Sequence, residues 1–320
     1  MQKFAGYFVV ESVALGGMAQ VFRARAVVAR DTGPDVALKV LLPQAYGTPG
    51  AVDGFVNEAH VLSRLNHENV IRCLEHGVEQ GRHFMVLEMA DGPDLQALHA
   101  EAAKAGLRLP PSLGVAVGVA ALRGLHHAHE ARDATGNPLG LIHRDVSPDN
   151  IFTMLNGGVK IGDFGIAKFA AKGQFTNPAF GIRGKLGYLA PERLRRDPFD
   201  ARADQFSLAL VLYELCTGQR AYDGTERDAT LLKRIRDADI PVARKVNPEL
   251  PVRVSDALMK ALDVKPARRC ESCAVFASVL EEVAAREGYG TGGTELRSWL
   301  QELFPARYPQ AGSGRRARLL

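Results

Sequence analysis

His143-Arg144-Asp145-Val146-Ser147-Pro148-Asp149-Asn150 is the stretch on which the reading of this chain turns, together with Asp163-Phe164-Gly165 eighteen positions after Asp145. A match to the four specified positions of HRDxxxxN arises by chance in roughly one chain in several hundred of this length, before a DFG triplet is required to follow. Working outward, Val36-Ala37-Leu38-Lys39 and Glu58 lie upstream, and Ala190-Pro191-Glu192 lies downstream. Each has an ordinary alternative when taken alone. Lys39 and Glu58 could be a surface pair, and an aspartate before Phe-Gly could mark a turn. Their joint order and spacing leave coincidence a poor explanation.

The flanking sequence divides in character around these markers. Tyr7-Phe8-Val9-Val10, Val21-Phe22 and Val36-Ala37-Leu38 are short apolar or alternating runs between glycine-rich and polar turns, which predicts strands over residues 7–42. Helical spacing follows Gly54: Phe55, Glu58, Ala59, Leu62 and Leu65 share one face. A carboxylate inside that apolar stripe needs a partner. Phe84-Met85-Val86-Leu87 reads as a buried strand ended by Asp91-Gly92-Pro93. Helix-compatible patterns then run over 111–131, 203–217, 225–238, 252–263 and 272–286. A strand-rich part, about residues 1–90, before a helix-rich part, about 91–285, implies two unlike lobes within one domain of residues 1–285.

Gly288, Gly290, Gly292 and Gly293 open a different segment, residues 286–320. Leu296, Trp299, Leu300, Leu303 and Phe304 follow the pattern of an amphipathic helix with Thr294 as its N-cap. Docking on the preceding domain is the expectation, and a partner for helix 294–304 is the alternative. The basic end, Arg315-Arg316-Ala317-Arg318, reads as a solvated tail.

Composition narrows the classes. With 46% hydrophobic and 24% charged residues, the 320-residue chain can bury a core, which rules out disorder throughout. A net charge of +4 is too weak to argue for nucleic acid or membrane binding. No stretch approaches the roughly eighteen apolar residues of a membrane span, and there is no leader-like N-terminus, so cytoplasmic residence is the expectation. Cys73, Cys216, Cys270 and Cys273 are too scattered for a disulfide framework, and the lone pair Cys270-Glu271-Ser272-Cys273 lacks the companions of a zinc site.

The ordered set VALK, Glu58, HRD, DFG and APE resembles the Hanks-type, eukaryotic-like Ser/Thr protein kinases, and the Gly16-Gly17-Met18 loop looks like the bacterial members. The resemblance covers about residues 7–285. It implies an α+β, bilobal protein-kinase-like fold: a small antiparallel β N-lobe with one main helix, and a larger α-helical C-lobe. It further implies transfer of the γ-phosphate of ATP to serine or threonine hydroxyls of protein substrates, autophosphorylation included. In that chemistry the protein mainly positions both substrates and neutralises charge. By the resemblance, Lys39 holds the α and β phosphates and Glu58 orients it. Asp163 and Asn150 bind Mg²⁺, or Mn²⁺ in its place, as oxygen ligands suit hard cations. Asp145 accepts or orients the proton of the attacking hydroxyl. Ala14, Leu15, Gly16 and Gly17 cover the phosphates, Val21 and Ala37 cover the adenine, and Phe152 supports it from below. Residues Glu88 to Ala90 offer it backbone hydrogen bonds.

Departures from the family pattern carry their own expectations. Ala14 and Ala19 stand where glycines are usual, and Ala14 is expected to strain a glycine conformation. Ser147 replaces the lysine two residues after the catalytic aspartate, while Lys185 replaces the threonine after Gly184. We read these as an exchange in which Lys185 restores the charge absent at Ser147. The alternative is a solvated loop lysine on a slow or inactive enzyme, a pseudokinase serving as a signalling scaffold. A small-molecule phosphotransferase of the aminoglycoside-kinase type fits poorly, since those enzymes resemble HGD and lack APE. Thr176, the only serine or threonine between Asp163 and Glu192, is expected to be phosphorylated and to pair with Arg144. The resemblance also pairs Glu192 with Arg269, sets Asp204 to hold the HRD backbone, and stacks His143, Phe164 and Leu62. The other histidines, His129 among them, read as packing or capping residues.

Overall fold

The computed structural model describes residues 3–27, 32–165, 183–222 and 228–308. Thr176 and residues 225–227 of the expected helix 225–238 lie outside them.

Six antiparallel strands form the first sheet: β1 (Lys3–Phe4), β2 (Tyr7–Leu15), β3 (Ala19–Val27), β4 (Thr32–Leu41), β5 (Cys73–Glu79) and β6 (Arg82–Glu88), in the order β1-β2-β3-β4-β6-β5. The period of two along β4 and β6 gives the sheet two apolar faces. Val36, Leu38, Val40, Phe84 and Val86 form a small outer core with Phe4 and Ala24. Met85 and Leu87 turn the other way into the main core, and Ala37 and Lys39 share that inner side. Helix α1 (Ala51–Leu62) packs there, burying Ala51, Phe55, Glu58, Ala59 and Leu62. It begins before Gly54, so the expected stripe gains Ala51.

The helical lobe comprises α2 (Leu95–Lys104), α3 (Pro111–His129), α4 (Arg183–Leu186), α5 (Pro191–Arg195), α6 (Arg202–Thr217), α7 (Asp228–Asp237), α8 (Ala243–Val246), α9 (Val252–Ala261), α10 (Cys273–Glu287) and α11 (Thr294–Leu303). A two-stranded hairpin, β7 (Ile151–Thr153) and β8 (Val159–Ile161), carries the segment between the HRD and DFG motifs. Helix α6 is buried continuously from Ala203 to Thr217. Gly118 lets α3 approach it, because a Cβ there would lie 2.7 Å from Leu212 Cδ1 and 2.9 Å from Leu280 Cδ1 of α10. Helix α2 was not foreseen. Asp94 caps it by accepting a 2.7 Å bond from Ala97 N–H.

The C-terminal helix α11 docks on this lobe, with Leu296 and Leu300 fully buried. Trp299, Leu303 and Phe304 of the same face are half-buried against it. Its N-cap is Gly293 rather than Thr294, which is already helical. No described helix is long and apolar enough to cross a membrane.

Candidate active site

The HRD loop is held from below by one buried carboxylate. Asp204 Oδ2 accepts from His143 N–H at 2.8 Å and Oδ1 from Arg144 N–H at 2.9 Å, as expected. These bonds hold Arg144 at φ +67, a left-handed conformation costly for a side chain of its size. His129 Nε2, 2.8 Å from Asp204 Oδ2, was read as packing or capping but is this carboxylate's partner. Burial alone would raise the Asp204 pKa. The bond and charge of His129, with the bond from the Arg144 amide, bring it below the usual range. Arg193 donates Nη1 to Arg144 O from the other side.

His143 joins the two motifs. Its Nδ1 accepts from Asp145 N–H at 3.2 Å and its Nε2 donates to Gly162 O at 3.0 Å, which requires the neutral ring. Burial lowers its pKa in the same direction. The ring packs on Phe164 at 4.4 Å, and Leu62 belongs to the same core. Gly165 N–H bonds His143 O and Gly162 N–H bonds Asn150 O, both at 3.0 Å. This bracket holds Asp163 at φ +52.

In the cleft, Lys39 Nζ lies 2.9 Å from Glu58 Oε1 and 3.3 Å from Asp163 Oδ1. The carboxylate in the apolar stripe of α1 therefore has its partner. Burial would lower the lysine pKa, but Glu58 and Asp163 together hold it well above the ordinary value, so the ammonium stays charged. Asn150 Nδ2 donates to Asp145 O at 2.7 Å and to Asp145 Oδ2 at 3.1 Å. Both amide hydrogens are thereby committed to the catalytic loop, leaving Asn150 Oδ1 as the atom able to ligate a cation. With the Asp163 carboxylate it makes an all-oxygen donor pair that suits a hard divalent metal.

Lys185, in the short helix α4, places Nζ 3.2 Å from Asp145 Oδ2 and 2.9 Å from Asp149 Oδ2. Burial would lower its pKa, but these two carboxylates raise it above the usual lysine value. Ser147, buried, turns its hydroxyl to Asp145 O at 3.3 Å. Asp149 was missed because it occupies an unspecified position of HRDxxxxN.

A cavity of about 350 Å³ lies under the glycine-rich loop and reaches Lys39, Glu58 and Asp163. Ala14, Gly16, Gly17 and Val21 form its lid, and Phe55 of α1 lines it without any motif having marked it. Ala14 does not strain: it sits in β2 paired with Val21 and outside the positive-φ region. Leu15 is exposed. Ala37 and Phe152 are half-buried against the main core. Glu88 N–H is spent on Arg72 O at 2.9 Å, so of the expected backbone groups its amide is unavailable to a nucleotide. Its side chain pairs with Lys160 at 3.1 Å.

Below the site, Arg269 and Glu192 form a bidentate pair at 2.6 and 2.9 Å, their side chains 0% and 4% exposed. Cys270 and Cys273 are buried thiols whose pKa burial raises, which makes them packing groups.

The protein kinase domain profile matches residues 7–280. The tyrosine-protein kinase MasK of Myxococcus xanthus is 33% identical over 305 residues, 95% of this chain and 47% of that protein. The serine/threonine-protein kinase PknL of Mycobacterium tuberculosis is 33% identical over 87% of this chain and 65% of that protein. The chain thus spans about half to two-thirds the length of these relatives. The crystal structure of the Mycobacterium tuberculosis PknI kinase domain superposes with a TM-score of 0.65 at 27% identity, covering 89% of this chain and 98% of that one.

Proposed function

This chain belongs to the protein kinase family, and from that premise we propose that it transfers the γ-phosphate of ATP to serine or threonine hydroxyls of proteins, with Mg²⁺ as the metal. The observation that carries the reading is that the Lys39–Glu58–Asp163 chain and the Asp145–Lys185 pair are tied together through Asn150, whose Nδ2 donates to Asp145 and whose carbonyl accepts from Gly162 N–H beside Asp163. A scaffold that only binds would not need the second of these.

In this reading Lys39, kept charged and aimed by Glu58, binds the α and β phosphates. Asp163 and Asn150 hold the metal, which neutralises phosphate charge when bound. Asp145 takes the proton of the acceptor hydroxyl as that oxygen attacks phosphorus. Lys185, beside Asp145, faces the charge that gathers on the moving group and stands in for the lysine absent at Ser147. The scaffold alternative leaves the Asp145–Lys185 pair without a use.

The similarity to MasK favours one second reading, a tyrosine acceptor. The test is incubation of the purified chain with radiolabelled ATP and Mg²⁺ or Mn²⁺, followed by phosphoamino-acid analysis. Label in phosphoserine or phosphothreonine supports the proposal. Label in phosphotyrosine alone replaces the acceptor, and no label with either metal removes the enzyme reading.

A further inference from the structure

The segment Gly293 to Tyr308 lies beyond the residues matched by the kinase profile, yet it is tied to the domain along its whole length. At its start Gly293 and Gly157 (φ +90) touch backbone to backbone. A Cβ on Gly293 would come within 2.4 Å of Gly157 O, and one on Gly157 within 1.9 Å of Gly293 O. In the middle, Leu296 and Leu300 are buried, and Ser112 Oγ donates to Glu295 Oε1 at 2.8 Å. At its end Arg307 Nη1 donates to Asp91 O at 3.3 Å, and Tyr308 OH to Leu155 O at 2.9 Å.

Those two carbonyls belong to the segments that carry Ala90 and Phe152, the residues assigned above by resemblance to the adenine. Asp91 directly follows Ala90, and Leu155 lies three residues beyond Phe152. The segments are already joined. Asp91 Oδ1 accepts from Leu155 N–H at 2.8 Å, and Pro93 O accepts from Thr153 N–H at 2.9 Å and Thr153 Oγ1 at 2.6 Å. Arg307 and Tyr308 each add a bond to one side of this junction and so close it from outside. The match to MasK spans 305 of the 320 residues. Even with every unmatched residue placed at the C-terminus, it therefore runs through the whole of α11.

We infer that residues 293–308 are a positioning strap for the nucleotide: by holding Asp91 and Leu155 they fix Ala90 and Phe152 and thereby set affinity for ATP. The strap touches neither Asp145 nor Lys185, so its effect falls on nucleotide binding and not on phosphoryl transfer. This rests on the nucleotide site proposed above.

The test uses the full chain with Arg307→Ala/Tyr308→Phe, which removes two peripheral bonds, and separately Gly293→Val, which cannot seat against Gly157. Isothermal titration with ADP-Mg²⁺ gives Kd, and steady-state kinetics gives KM for ATP, KM for casein as acceptor, and kcat. Losing two hydrogen bonds should weaken ADP binding and raise KM for ATP by about five- to thirtyfold, with kcat and KM for casein within about twofold. If Gly293→Val fails to fold, the double variant still decides. An unchanged Kd in that variant overturns the inference, as does a lowered Tm without a change in KM for ATP. Failure of the wild type to bind ADP overturns the functional reading beneath it.

Discussion

Replacing Lys185 by threonine, the residue usual in this family, removes a cation 3.2 Å from Asp145 Oδ2. Two unit charges at that separation interact by about 5 kcal/mol at an effective dielectric of about 20, and by about 1 kcal/mol in bulk water. The lysine side chain is 43% exposed and Asp145 16%, which places the pair between these limits. That attraction fixes where Lys185 sits, and a positive group so placed toward the transferring phosphoryl contributes about 3 kcal/mol to the barrier, which corresponds to a loss of about a hundredfold in kcat. Adding Ser147→Lys to Lys185→Thr puts a positive charge back at the family position and should recover part of that loss. Ser147 is buried, so the new stem must thread past its neighbours and recovery stays incomplete. Both changes act on one charged site and their energies should be strongly non-additive. The assay is kcat for wild type, the two single variants and the double variant under saturating ATP. A near-silent Lys185→Thr, or simple additivity around the cycle, refutes the exchange and makes Lys185 a solvated lysine.

Three further outcomes follow from the same geometry. Lys39→Met should abolish transfer and, by leaving buried Glu58 without its lysine, lower unfolding stability in denaturant by about 3 kcal/mol; adding Glu58→Gln should restore stability but no activity. Because the folded-state pKa of buried His143 lies below the unfolded value near 6.5, the unfolded chain takes up the proton first as pH falls. Stability contributed by the neutral ring is therefore complete above about pH 6.5 and falls by up to about 1.4 kcal/mol per pH unit below it, a slope that His143→Gln should flatten in urea titrations at pH 5 to 7. Arg269→Leu should cost about 3–5 kcal/mol, since it leaves Glu192 buried and uncompensated, and Arg269→Leu/Glu192→Met should regain most of it in the same unfolding measurement.

What could be read from the chain followed from how locally each feature is encoded. The alternation Val36, Leu38, Val40 assigns β4 its two faces, and the carboxylate at Glu58 announces a buried partner because an unpaired charge in an apolar stripe is costly. The two anomalies at Ser147 and Lys185 pointed to one another, and the structure brings Lys185 to Asp145. Asp149 carried no such signal: its role exists only because α4 folds back over the catalytic loop. His129 likewise meets Asp204 across 75 positions of sequence, which no periodicity records. Thr294 was a sound N-cap by type, but the close contact of Gly293 with Gly157 draws the chain into the helix one residue earlier. The concern over Ala14 assumed a glycine conformation that β2 does not require. Docking of α11 was legible from its apolar stripe, whereas its reach to Asp91 and Leu155 was not, because both acceptors are backbone carbonyls.

Phosphate transfer from radiolabelled ATP to casein by wild type beside Asp145→Asn tests the proposed activity most directly. Asparagine keeps an oxygen able to accept from Asn150 Nδ2 but cannot take a proton, so ADP binding and Tm should stay close to wild type. The wild type should label casein, and Asp145→Asn should label it about a hundredfold to ten-thousandfold more slowly, the usual contribution of a positioned general base. Equal labelling by the two proteins, or none by the wild type with nucleotide bound, would contradict the assignment of Asp145 and of the cleft around it.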